Sequence, residues 1–140
     1  MYGDTAAGRK RVAELREQGG DIRALAARLV AQAEAVPWHG KAAESMRERI
    51  RERAGHLRAA AAQHDTAAES LADHLGEVDR LKEAIDTRSR KATTLVEDAR
   101  TRTSEAASGA ATDESDSAVL AFDPPPAGHR DWLTVDLPGL

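Results

Sequence analysis

Ser70, His74 and Glu77 stand four and three residues apart. That spacing lines a hydroxyl, an imidazole and a carboxylate along one face of a helix, and invites a hydrolase reading. Three side chains on one solvated helix face have no pocket and no oxyanion donors, so they read as surface. His56, His64 and His74 are separated by eight and ten residues. Such steps place neighbours roughly 80° apart around a helix, unlike the four-residue step by which paired helical histidines hold a metal. The chain has no cysteine, which excludes a thiolate metal site and a disulfide scaffold. His64 falls on an apolar line and reads as a satisfied polar residue of a packed seam. No catalytic set, metal site or cofactor site emerges, and the chain reads as non-enzymatic.

Charge excludes further classes. The run from Met46 to Arg53 looks basic, but Glu44, Glu48 and Glu52 sit among its arginines. Glu44 with Arg47 and Glu48 with Arg51 are three apart and can pair, which marks a solvated face. The net charge is −4, and no aromatic flanks the run, so a nucleic-acid surface is not expected. No apolar stretch approaches the roughly 20 residues of a membrane span, and the N-terminus shows no signal-peptide core.

The elements that carry these residues are helices. Alanine is abundant and aromatics make up only 3% of the 140 residues, so any core is thin and built from closely packed helices. Leu15, Ile22, Leu29 and Val36 repeat every seven residues, widened by Val12, Leu25, Ala26, Val30 and Ala33. This predicts a helix over about residues 5–36, capped by Asp4 or Thr5 and weakened at Gly19-Gly20. A second apolar line runs through Met46, Ile50, Leu57, Ala61, His64, Ala68, Leu71, Leu75, Val78, Leu81 and Ile85. It predicts a longer helix over about 41–105, continuous or slightly kinked through Asp86-Thr87-Arg88-Ser89. Between them lies Val36-Pro37-Trp38-His39-Gly40. Pro37 ends the first helix, Gly40 can take positive φ, and the chain must reverse. The expected fold is an all-α antiparallel helical hairpin with its turn at Trp38–Gly40.

The first helix is too short to cover the second beyond about residue 75, at 1.5 Å per residue. Leu75, Val78, Leu81, Ile85 and Leu95 therefore need another partner, and the first four, with Leu57 and Leu71 of the same apolar line, are the expected partner interface. Two such hairpins together make a four-helix bundle. Residues 1–107 form the expected helical body, 108–118 a small, polar, acidic linker, and 119–140 a tail segment. From residue 108 on, six carboxylates face Arg130 alone. Phe122, Pro124-Pro125-Pro126, Trp132 and Asp136 make the tail more adhesive than a spacer, and it reads as a short docking segment. Phe122 and Trp132 folding back onto the uncovered helix is the competing reading.

Trp38-His39-Gly40 at a bend between two amphipathic helices resembles the Trp-x-Gly turn of the WXG family of small type VII (ESX-type) secretion proteins. Leu29 and Val36 before the turn, with Ala42, Ala43 and Met46 after it, extend the likeness over residues 5–85. The resemblance implies a hairpin that pairs with a second hairpin or with the N-terminal helical region of a larger effector. It also implies export without a cleaved signal peptide, or a cytoplasmic escort role, and reading of the turn by a secretion ATPase. Trp38 and Gly40 are the matching turn positions. The family's Tyr-x-x-x-Asp/Glu signal is missing, because the single tyrosine, Tyr2, is followed four residues on by Ala6. Trp132-Leu133-Thr134-Val135-Asp136 is the nearest imitation. The alternative is a cytoplasmic coiled-coil scaffold or regulator in which Trp38-His39-Gly40 is an ordinary turn.

Overall fold

A computed structural model describes residues 5–106 and 113–140. The expected cap at Asp4, the lone Tyr2 and residues 108–112 of the expected linker lie outside the described residues. The described chain is all-helical, with no strand: α1 spans Thr5–Ala35, α2 Lys41–Glu105 and α3 Glu114–Leu120, and a 3-10 turn follows at Arg130–Thr134. α2 is one helix through Asp86-Thr87-Arg88-Ser89. Contacts divide the chain into two compact units, one up to Gly76 and one from Glu77 onward, and α2 contributes to both.

In the first unit α1 and α2 pack together along a seam of small residues. Val12, Gly19, Ala26 and Ala33 are buried on α1, one every seventh residue. Ala54, Ala61, Ala68 and Leu75 are buried on α2 with the same period. Ala26, Ala54, Ala61 and Ala68 are each 0% exposed, and only methyl-sized side chains let two helix backbones come this close. Leu75 lies over Gly8, and Gly19 sits against Ala61 and His64. The Arg47 guanidinium reaches the Ala33 carbonyl. Partners thus descend on α2 as they ascend on α1, and the reach of α1 ends near Leu75.

The Gly19-Gly20 pair does not break α1, and the two glycines do different work. A Cβ on Gly19 would lie 3.0 Å from Asp65 Oδ1 and 3.3 Å from the Ala61 carbonyl oxygen, whereas one on Gly20 would meet nothing within 4 Å. Gly19 is a close-approach residue of the seam, and α1 passes through both glycines unbroken.

In the second unit the C-terminal part of α2 is covered by the chain's own tail. Ile85 and Ala92 cluster with Trp132 and Leu137, and Phe122, Leu133, Val135 and Leu140 pack around them. Phe122 meets Trp132 edge to face at 6.0 Å, a favoured aromatic geometry. The Trp132 indole N–H donates to the Pro126 carbonyl at 3.1 Å. Arg88 donates from Nε to the Trp132 carbonyl at 2.7 Å and from its terminal nitrogen to the Val135 carbonyl. Gly139 approaches Leu95.

Two expectations for the tail therefore change. Residues 114–120, assigned to linker and non-helical tail, form α3, with Asp113 as its cap accepting from the Ser115 N–H at 3.4 Å. Seven residues are two turns, too few to show a helical period, while Ser and Asp are the residue types that start helices. The need of Ile85 and Leu95 for cover, assigned first to a second polypeptide, is met by residues 122–140, as in the competing reading of a tail folded back on the helix. Arg102 fixes α3 to α2 by a forked pair to Asp116, with Nε 3.0 Å and a terminal nitrogen 2.7 Å from its carboxylate oxygens.

Candidate partner interface

The turn begins where α1 runs out of donors. Ala35 is its last residue, its final turn carries no basic side chain, and Pro37 cannot extend it. A helix C-terminus bears unpaired carbonyls and partial negative charge. Arg47, from the second turn of α2, supplies what α1 lacks. Its terminal nitrogen donates to the Val36 and Trp38 carbonyls at 2.8 Å each, and its Nε donates to the Ala33 carbonyl at 3.3 Å. The Arg47 side chain is only 12% exposed, with Glu44 3.5 Å away. The Trp38 N–H closes back on the Val36 carbonyl at 2.9 Å. Gly40 takes φ +103°, which a Cβ would strain. Within this tied backbone the Trp38 indole is 62% exposed.

The two-helix unit also has two unlike flanks. Three residues beyond each buried seam position of α1 lie Leu15, Ile22, Leu29 and Val36, and beside the α2 seam lie Ile50, Leu57, His64 and Leu71; all are half-buried. Leu15 and Leu71 both pack against the Val12–Ala68–Leu75 cluster at one end of this line, and the seven-residue period carries the other positions along the same side. The next positions outward are Gln18, Leu25 and Gln32 on α1 and Ala60 and Ala67 on α2, with Arg11, Arg53 and His74 at the ends of the same rows. Leu25 is 42% exposed. The other flank is charged. There Arg23 pairs with Asp65, and Arg51 reaches across to Glu34 at 3.5 Å. The unit thus carries a row of half-buried aliphatic side chains on one flank and cross-helix ion pairs on the other.

The residues singled out in the sequence fall in different places. Leu57 and Leu71 lie on the aliphatic flank. Leu75 is buried with Val12 and Ala68. Val78 is half-buried and Leu81 is 42% exposed, both beside a small apolar recess that includes Ile85 and Leu133. Ile85 and Trp132 are buried together, Phe122 is half-buried against them, and Asp136 is exposed. Ser70, His74 and Glu77 are all exposed, and Glu77 is 2.7 Å from Arg80. His64 places Nδ1 2.9 Å from the Ala60 carbonyl. Among the described residues no three His, Asp or Glu side chains gather as metal ligands, and no helix is long and apolar enough to cross a membrane. Arg47, read from sequence as a solvated partner of Glu44, is largely buried at the turn and bonds to its carbonyls; the roles of Arg88 and Arg102 escaped the sequence reading, because each bonds to backbone carbonyls or to a carboxylate many residues away. The one available signal was the final turn of α1, which has no base of its own.

One of these contacts titrates. The Arg102 fork holds the Asp116 carboxyl below its ordinary 3.8, against an opposing push from burial. Asp116 is 8% exposed. A depressed acid stabilises the fold above its unfolded pKa, and that stabilisation is lost as pH falls through the lower folded value. Tail docking is thus expected to hold from neutrality to about pH 4 and to weaken below it. Trp132 emission in a Trp38→Phe background should follow this, and Asp116→Asn should already be weakened at neutral pH.

The chain matches no protein-family model, no curated protein and no solved structure.

Proposed function

We propose that this chain is a non-enzymatic helical interaction protein of WXG type, serving a type VII (ESX-like) secretion system as an exported protein or as escort of a partner. In this reading α1 and α2 form an antiparallel helical hairpin. Its aliphatic flank packs against a second hairpin, or against the N-terminal helical region of a larger effector, to complete a four-helix bundle. The observation that carries the proposal is the contrast between flanks: Leu15, Ile22, Leu29, Leu57 and Leu71 half-buried on one side, cross-helix ion pairs on the other. The exposed Trp38 on a Gly40 turn supports the WXG assignment. In Trp132-Leu133-Thr134-Val135-Asp136 the aromatic is buried against its own helix, so it is not free to act as an export signal. That favours the escort role.

Export separates this reading from a cytoplasmic scaffold. The chain or a co-purifying partner is expected in culture filtrate, and Trp38→Ala with Gly40→Ala should remove it while helix content by circular dichroism stays unchanged. A protein retained inside the cell, with a partner insensitive to Trp38, would establish the scaffold instead.

A further inference from the structure

We infer that Arg47 is the positioning residue of the turn, holding the backbone at Trp38 in place so that the exposed indole is carried at one fixed point of the surface for a partner protein. The inference rests on the functional reading above for its partner, and on the turn geometry for its mechanism. One guanidinium spans the Ala33, Val36 and Trp38 carbonyls, so it ties the end of α1, the residue before Pro37 and the tryptophan itself to α2. A planar fork with five donors in fixed directions can do this from one side chain, whereas the three donors of a lysine ammonium radiate from one nitrogen on a flexible stem and cannot span carbonyls on both sides of the turn. The bonds all go to carbonyls and leave the indole untouched. Trp38 is held by its backbone while its ring stays 62% exposed. An exposed aromatic normally loses freedom on binding, and a turn fixed beforehand reduces that cost. Tryptophan and arginine are the side chains most often decisive at interfaces; here the arginine acts behind the surface and the tryptophan on it.

The test uses the full chain labelled with 5-fluorotryptophan, which gives two fluorine resonances, Trp38 and Trp132, assigned by Trp38→Phe. In Arg47→Ala the Trp38 resonance should narrow and move toward the position of unfolded tryptophan, amides 38–40 should exchange faster, and Trp132 should not change. Arg47→Lys should give an intermediate Trp38 signal. Partner retention or export should fall in Arg47→Ala to the level of Trp38→Ala, with circular dichroism confirming that α1 and α2 persist. An unchanged Trp38 resonance would overturn the inference. So would a loosened turn with full export, provided Trp38→Ala still abolishes it. If Trp38→Ala itself leaves partner and export intact, the WXG reading fails, and the fluorine signal alone then decides whether Arg47 fixes the turn.

Discussion

Trp132→Ala is expected to strip the tail from α2. The indole is 4% exposed, and truncating a buried tryptophan costs about 3–5 kcal/mol. Three further contacts depend on it: the edge-to-face packing of Phe122, the bond to the Pro126 carbonyl, and the placement of the Trp132 and Val135 carbonyls over Arg88. The tail has few other buried groups, chiefly Val119 and Leu137, so that loss exceeds what a local segment holds in reserve. Hydrogen exchange should show amides 114–140 opening while those of α1 and residues 41–76 of α2 keep their protection. Trp38→Ala provides the contrast. A residue so exposed should change stability by no more than about 0.5 kcal/mol. Equal effects from the two tryptophans would show that the tail is not held as described.

Ala61→Leu should be the most damaging change in the α1–α2 seam. Ala61 is 0% exposed, and its carbonyl already lies 3.3 Å from where a Cβ on Gly19 would stand. Three added carbons have no cavity to enter, and overpacking of this kind costs about 1–3 kcal/mol, occasionally more. Ala62→Leu adds the same atoms one residue on, at an exposed position of the same helix, and should be nearly neutral. Chemical denaturation of the pair checks it. The two variants unfolding alike would mean that the helices are not in close contact at Gly19.

The long helices were legible because they are regular. The seven-residue recurrence from Leu15 to Val36, and Pro37 with Gly40 after it, are strong local signals. Most of the large aliphatics on these lines flank the contact; of them only Val12 and Leu75 are buried in the seam, at its end. The least exposed positions of the seam are Ala26, Ala54, Ala61 and Ala68, since the closest approach belongs to the smallest side chains. Hydropathy alone ranks such residues low. The tail was harder still. Arg88 recognises two carbonyls, which every residue carries, so its targets have no side-chain signature. Trp132 and Phe122 read as adhesive, but composition does not say to what; here they pack with Ile85 and Ala92 of α2. On the candidate interface, Leu57 and Leu71 came from periodicity, whereas the unlike flanks emerge only when α1 and α2 are placed side by side.

A seam floored with methyl groups and hydrogens has a thermodynamic consequence. Melting the α1–α2 pair wets less hydrocarbon per residue than melting a leucine-filled core. The heat-capacity increment of this unit therefore falls below the about 12–15 cal/mol/K per residue of ordinary domains. Its free energy then varies little with temperature, a shallow dome that yields slowly to cold and has no tall maximum to lose on warming. Burying the aliphatic flank against a second helix pair would add the missing hydrocarbon, so association would steepen the curve as well as raise it.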